Sequence, residues 1–133
     1  MLDINLKHIE TTLEYTKVIK QNENVVIICG GMGPLCIPVY VITEKLEDEY
    51  KHVRFYVIEF DKPISNVIRT LPEVQGQGAT PFIIYYKNGK VVKGTSSIQC
   101  TSKIKDILDK EFGAPINLSA NIQTVTKVNY KSY

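Results

Sequence analysis

The sequence has few cysteines, little net charge and no long apolar run. Three cysteines, Cys29, Cys36 and Cys100, are an odd and low number, which does not describe a secreted disulfide scaffold. A net charge of +2, with no basic cluster, gives no electrostatic reason to expect binding to nucleic acid or to a membrane surface. The longest uninterrupted apolar runs are about five residues, far short of a membrane span.

The first ten residues, MLDINLKHIE, lack the apolar stretch and the small-residue cleavage site of a secretory signal. Together with the low cysteine content, this predicts a cytoplasmic protein with reduced thiols. The two histidines, His8 and His52, are far apart in sequence and show none of the usual spacings of metal ligands. We therefore expect neither a bound metal nor a cofactor, and we expect both histidines to lie at the surface.

Helical and strand patterns alternate along most of the chain. Apolar residues at every third or fourth position predict helices over residues 5–21, with Asn5 as N-cap, and over residues 34–50. Continuous apolar runs rich in β-branched residues, at 25–29 and 53–60, predict strands that are buried on both faces. A chain of 133 residues with this pattern is long enough for one domain with a full core.

The second half of the domain continues the alternation. Residues 64–71 predict a short helix, and strands at 81–86 and 91–92 are joined by Asn88-Gly89, which is a strong hairpin signal. A loop at 94–99 and a helix ending at Gly113 complete the chain. With a short strand at Leu2–Ile4 ahead of the first helix, the order is β-α-β-α-β-α-β-β-α. This order predicts an α/β fold in which helices cover both faces of a sheet with parallel strands and an antiparallel hairpin.

The end of the chain differs from the rest. We assign residues 1–113 to the domain and residues 114–133 to a C-terminal extension, which lacks acidic residues and is rich in Asn, Thr, Ser and Val. Its strand propensity predicts that it adds an edge strand to its own sheet or to a neighbouring copy, because an open sheet edge is a template for pairing. A homo-oligomer formed through this extension is therefore one expectation.

The segment VVIICGGMGPLCIPVY, residues 25–40, raises the question of thiol chemistry. Cys29 and Cys36 lie on either side of a turn rich in Gly and Pro, but their spacing is C-x6-C and not C-x-x-C. Cys36 falls in the first turn of a predicted helix, where the dipole favours a thiolate; the alternative is a small apolar residue at a helix start. Cys29, on a buried strand, is expected in the core. Spacing alone does not decide whether the two form a disulfide.

The order of elements, together with GATPFIIYYKNGKVV at residues 78–92, resembles the thioredoxin family. That family has Gly-x-x-Pro ahead of a strand, followed by a Lys/Asn/Gly hairpin, and it places Trp-Cys-Gly-Pro-Cys between a buried strand and a long helix. The resemblance covers roughly residues 2–112. It implies a thioredoxin-like α/β fold, with a central mixed β-sheet flanked by helices on both faces and here followed by a C-terminal extension.

The active-site motif of the family is incomplete in this chain. Gly33 and Pro34 occupy the Gly-Pro position, so that the two family cysteines correspond to Met32 and Leu35. A shift of one residue places Cys36 on the second cysteine position, but Gly33 then stands on the first. Neither alignment restores C-x-x-C, so dithiol exchange is not expected.

Further departures from the family agree with the expectation that the chain does not perform dithiol exchange. Val26 and Val57 match the positions where thioredoxins generally carry a buried aspartate and an accompanying lysine, which move protons to and from the resolving cysteine. Gly31 replaces the family tryptophan. A buried carboxylate is costly unless it is paired or used, so its loss together with the cysteines is physically coherent.

The resemblance also implies a cis-proline at Pro81, preceded by Thr80, in a segment that faces the active-site loop. In the family this main chain pairs with an extended substrate peptide. We therefore predict a non-catalytic peptide-binding, protein-binding or adaptor module. The alternative is a thiol–disulfide oxidoreductase or monothiol redox protein that uses Cys36, with or without Cys29. The predicted apolar groove consists of Met32, Gly33, Pro34, Leu35, Thr80 and Pro81.

Overall fold

A computed structural model describes residues 4–76, 78–97 and 99–115. Most of the predicted C-terminal extension, residues 116–133, lies outside the described residues, and so does the oligomer expected from it. The predicted order of elements is confirmed. The elements are β1 (Lys7–His8), α1 (Thr12–Gln21), β2 (Asn24–Gly30), α2 (Ile37–Glu49), β3 (Arg54–Glu59), a 3-10 turn (Pro63–Ser65) leading into α3 (Asn66–Arg69), β4 (Phe82–Lys87), β5 (Lys90–Ser96) and α4 (Thr101–Phe112).

The five strands form one mixed sheet in the order β1-β3-β2-β4-β5. The strands β1, β3 and β2 are parallel, whereas β4 is antiparallel to β2 and β5 is antiparallel to β4. The central strand β2 is buried along its whole length, as its continuous apolar sequence predicts. This is the α/β architecture expected from the sequence, with helices on both faces of a mixed sheet.

Two apolar cores lie on the two faces of the sheet. Val26 and Ile28 of β2 face α2 and α4, which contribute Leu46 and Leu108 to that core. The residues of β2 that alternate with Val26 and Ile28 face the opposite side of the sheet, where α1 and α3 pack. Burying an aliphatic side chain of this size contributes roughly 1.5–3 kcal/mol, so these alternating contacts fix which face each strand residue takes.

The first helix begins later than the sequence pattern predicts. Residues 5–10 are not helical, and Lys7–His8 instead pairs with β3 as an edge strand. The reason is a capping box: Thr11 Oγ1 accepts the N–H of Glu14 at 3.1 Å, while the Glu14 carboxylate accepts the N–H of Thr11 at 3.0 Å. The prediction of Asn5 as the N-cap was therefore wrong.

The strand β5 is longer than predicted, because residues 94–96 belong to it and not to a loop. Gly94 pairs with Ile84, and a Cβ at this position would lie 3.0 Å from Glu73 Cβ. Glycine thus lets the turn that follows α3 lie against the strand. The sequence alone does not show this tertiary contact, so a glycine at this position is easily interpreted as the start of a loop.

Both histidines are partly exposed. His8 lies in β1, and its Nε2 atom is buried. His52 donates from Nε2 to the carbonyl oxygen of Gly113 at 2.9 Å, which holds the end of α4 against the turn between α2 and β3. Within the described residues, no group of three or more His, Cys, Asp or Glu side chains has the arrangement of a metal site. Over the same residues, no helix is both long and apolar enough to span a membrane.

Candidate functional site

Gly30, the last residue of β2, is the point where three parts of the candidate site meet. A Cβ built on Gly30 would lie 2.8 Å from Tyr40 Oη, 3.0 Å from Cys36 Sγ and 3.3 Å from Pro81 Cβ. Any side chain here would collide with α2 and with the segment before β4. Glycine therefore allows the end of β2, the start of α2 and Pro81 to come together.

The loop after β2 turns directly into α2. The carbonyl oxygen of Gly33 accepts the N–H groups of Cys36, at 3.0 Å, and of Ile37, at 3.2 Å. Pro34 lies inside this turn, where a residue without an N–H is tolerated. Met32 is 67% exposed and Leu35 is 36% exposed. The loop thus presents apolar side chains to solvent at the position where the sequence predicted one wall of a groove.

Cys36 is the N-cap residue of α2 and is almost fully buried, with 2% of its surface exposed. Its thiol belongs to the core between the sheet, α2 and α4. One turn further along α2, Tyr40 donates from its hydroxyl to the carbonyl oxygen of Gly31 at 2.8 Å. Burial raises the pKa of the Tyr40 phenol above its ordinary value, and the neighbouring Cys36 raises it further. Tyr40 is therefore a neutral hydrogen-bond donor that anchors the loop.

Cys29 is completely buried and lies in the core on the opposite face of the sheet, beside α3. Burial raises the pKa of its thiol to about 12, partly offset by the positive charge of Arg69. Because the thiolate is the reactive form, this thiol is inert at neutral pH. Cys29 and Cys36 are both free thiols. The structure does not bring them together, since each belongs to a different core.

The two alignments with the family motif place residues of different exposure at the second cysteine position. The resemblance offers Leu35 or Cys36 for the second cysteine position, and Cys36 is the one that lies in the core, at the Gly30–Pro81 contact. Leu35 instead faces solvent. Either alignment leaves a residue without a thiol, Met32 or Gly33, at the first position.

The segment before β4 is where the sequence predicted the second wall of the groove. The Thr80–Pro81 peptide bond is cis. The N–H of Ser97 donates to the carbonyl oxygens of Ala79, at 2.8 Å, and of Pro81, at 3.0 Å, which fastens the segment to the end of β5. Between these two anchored residues, the main-chain N–H and C=O of Thr80 have no hydrogen-bond partner among the described residues.

The apolar surface is larger than the sequence predicted. Ile37 is 39% exposed and Val41 is 50% exposed, so both lie on the outer side of α2, Ile37 at its start and Val41 one turn further along. We use the name apolar face for Met32, Leu35, Ile37 and Val41. A signal was present in the sequence, because Ile37 and Val41 are four residues apart on a helix face that normally carries polar residues. It was missed because the residues facing the core follow the same spacing.

One exposed thiol lies outside this site. Cys100 is the N-cap residue of α4, and its Sγ is 3.3 Å from the hydroxyl of Ser102. The hydrogen bond with the Ser102 hydroxyl lowers the pKa of this thiol below its ordinary value. Among the described cysteines it is therefore the most accessible to thiol reagents.

The fold defines the structural class of the chain, which is the thioredoxin-like fold. Thioredoxin from Plasmodium falciparum superposes on this chain with a TM-score of 0.66 at 21% identity, covering 80% of this chain and 99% of that one. Mitochondrial thioredoxin 3 from Saccharomyces cerevisiae gives 0.65 at 24% identity, over 78% and 94% of the two chains. Thioredoxin O2 from Arabidopsis thaliana gives 0.67 at 15% identity, over 84% and 97%. No protein-family model and no curated protein sequence matches the chain.

Proposed function

We propose that this chain is a non-catalytic thioredoxin-fold module that binds an extended segment of a partner protein. The groove lies between the loop at residues 32–35 and the Thr80-Pro81 segment. One observation supports this most: the unpaired main chain of Thr80 lies on the segment that meets the start of α2, next to a loop whose Met32 and Leu35 side chains are exposed.

An extended peptide would bind by adding main-chain hydrogen bonds at Thr80 and by covering apolar side chains of the loop. Main-chain pairing gives affinity that does not depend on sequence, and the apolar contacts select the side chains of the partner. Met32 suits this role because an unbranched, polarisable side chain adapts to different partners. Burying apolar surface contributes roughly 25 cal/mol per Å², so the two exposed loop side chains supply a substantial part of the affinity.

Dithiol catalysis has no support in the residues of the site. The sequence contains no C-x-x-C, the first cysteine position is held by Met32 or Gly33, and the Cys29 thiol is protonated and enclosed. A binding role needs none of these thiols. Because the cysteine content is low, we place the protein in the cytoplasm. Its three thiols would be reduced in that compartment.

A direct test measures binding of an unfolded chain. The probe is fluorescently labelled α-lactalbumin that has been reduced and carboxymethylated, so that it is extended and carries no thiol. The Met32→Asp variant should bind about tenfold more weakly than the wild type, because it places a charge on the apolar wall. Leu13→Asp is the matched control, since Leu13 is 65% exposed on α1, away from the groove, and should bind as the wild type does. Equal binding by wild type and Met32→Asp would contradict the proposal.

A second candidate function is monothiol redox chemistry at Cys36. It is favoured by the position of this thiol at the N-cap of α2, in the contact with Gly30 and Pro81. An insulin-reduction assay coupled to a reductase separates the two functions. Turnover by the wild type that is lost in Cys36→Ser would establish the redox function and overturn the binding proposal. We expect no turnover in either protein.

A further inference from the structure

Met32 is the sulfur-containing residue of the site that an oxidant can reach. Its side chain is 67% exposed, whereas Cys36 is 2% exposed and Cys29 is fully enclosed. The loop on either side consists of Gly31 and Gly33, and no atom beyond the adjacent residues lies within 4 Å of the position of a Cβ on either glycine. The thioether therefore projects from a stretch of chain that offers it no cover.

A thioether reacts with two-electron oxidants without losing a proton first, so access to the sulfur controls its rate of oxidation. Hydrogen peroxide transfers one oxygen atom to Sδ, which forms an S=O bond, breaks the O–O bond and releases water. The sulfur is oxidised by two electrons and the peroxide is reduced by two. The product, methionine sulfoxide, is polar and can be reduced back enzymatically.

We propose that Met32 is an oxidation site through which peroxides control the binding surface. This inference rests on the proposed function, because the consequence of oxidation is loss of the bound segment. The apolar face would gain a strong hydrogen-bond acceptor at its most exposed position. Covering that acceptor with an apolar partner leaves it without a donor, which makes binding unfavourable.

The other sulfur groups of the described chain do not account for such a response. The Cys29 thiol is enclosed and protonated, and Cys36 is shielded by its contacts with Gly30 and Tyr40. Cys100 is exposed and its pKa is lowered, so peroxide oxidises it as well, but it caps α4 and lies outside the apolar face. The Cys100→Ser background removes this competing reaction without touching the groove.

The first measurement is the rate of oxidation in the full chain. Cys100→Ser protein is treated with hydrogen peroxide, alkylated, digested with trypsin, and the peptide of residues 21–45 is followed by mass spectrometry for the gain of one oxygen at Met32. We expect a rate within about threefold of that of free methionine, because the sulfur is accessible. A rate more than tenfold slower would overturn the inference.

The second measurement compares binding of the carboxymethylated α-lactalbumin probe before and after complete oxidation. Oxidised Cys100→Ser should bind at least tenfold more weakly, and methionine sulfoxide reductase should restore the original affinity. Cys100→Ser with Met32→Leu should show the same affinity with and without peroxide, because leucine has no sulfur. No binding before treatment would overturn the proposed function and this regulation with it. Unchanged affinity after complete oxidation of Met32 would overturn the regulation alone.

Discussion

The hydroxyl of Tyr40 donates a hydrogen bond to the carbonyl oxygen of Gly31, 2.8 Å away. Tyr40 is fully buried in the first half of α2, and Gly31 is the first residue of the loop that carries Met32. This bond ties the loop to the helix at the point where the chain leaves β2. The position of the candidate groove therefore depends on a residue that never contacts solvent.

Removing the Tyr40 hydroxyl tests this dependence. Tyr40→Phe should lower the free energy of unfolding by about 1–2 kcal/mol, because the carbonyl of Gly31 loses its donor. Urea denaturation monitored by circular dichroism measures the loss. Tyr56→Phe, on a partly exposed tyrosine of β3, is the control and should change stability by less than about 0.5 kcal/mol. Equal effects of the two variants would contradict the anchoring role.

Substitutions at Gly30 and Gly31 test whether the end of β2, the start of α2 and Pro81 come together. A Cβ on Gly30 would meet Tyr40, Cys36 and Pro81 at 2.8–3.3 Å, whereas nothing lies within 4 Å of a Cβ on Gly31. Gly30→Ala should therefore destabilise the protein by about 1–3 kcal/mol through overpacking. Gly31→Ala should stay within about 0.5 kcal/mol of the wild type. Thermal and urea unfolding of both variants measure the difference, and a neutral Gly30→Ala would show that the three segments do not meet as described.

The three cysteines should react with thiol reagents in a fixed order. Cys100 is exposed and has a lowered pKa, so iodoacetamide should modify it at a pH below that needed for free cysteine. Cys36 and Cys29 are buried and should react only when the fold opens. Ser102→Ala removes a hydrogen bond that favours the Cys100 thiolate and should move its reactivity to higher pH. Time-resolved mass spectrometry with peptide mapping follows each thiol, and modification of Cys29 in the native protein as fast as Cys100 would contradict the assignment.

Stability should fall at alkaline pH because of Cys29. Burial raises the pKa of this thiol from 9.0 in the unfolded chain to about 12 in the folded one. Below pH 9 both states hold the proton; above it only the unfolded state releases the proton, so unfolding becomes more favourable as pH rises. The free energy of unfolding should decline by about 1.4 kcal/mol per pH unit for this group, up to the folded pKa. Urea unfolding between pH 8 and 11 should show a shallower decline for Cys29→Ala than for wild type, and an equally steep decline in the two proteins would contradict the role of Cys29.

Most of the fold follows from the sequence, because its strong patterns and the dominant contacts agree. The continuous apolar run of β2 and the Asn88-Gly89 turn specify local structure that the packing then uses. One error concerned a local signal, because the capping box formed by Thr11 and Glu14 sets the start of α1 and was not recognised in the sequence. The other arose where a tertiary contact decided the outcome, because the contact between Gly94 and Glu73 extended β5.

The candidate site was predictable in part, for a similar reason. Met32 and Leu35 were predicted from one short contiguous segment, and Pro81 from a second one. Gly30 and Tyr40 were not, because their role depends on which side chains from three different elements approach one backbone position. The spacing of residues within one helix or strand does not reveal where side chains from three elements come together.

The outer side of α2 shows how far the binding surface extends. Val41 is 50% exposed, lies one turn beyond Ile37, and contributes to no described core cluster. Val41→Lys should leave the free energy of unfolding within about 0.5 kcal/mol of the wild type, since a surface substitution removes no buried contact. It should weaken binding of the carboxymethylated α-lactalbumin probe by about three- to tenfold if the bound segment crosses the apolar face along α2. Fluorescence anisotropy measures binding of the probe to Val41→Lys and to Leu13→Lys. Leu13→Lys is the control for an exposed apolar residue on another helix. Loss of affinity in Met32→Asp but not in Val41→Lys would confine the binding surface to the loop and Thr80-Pro81.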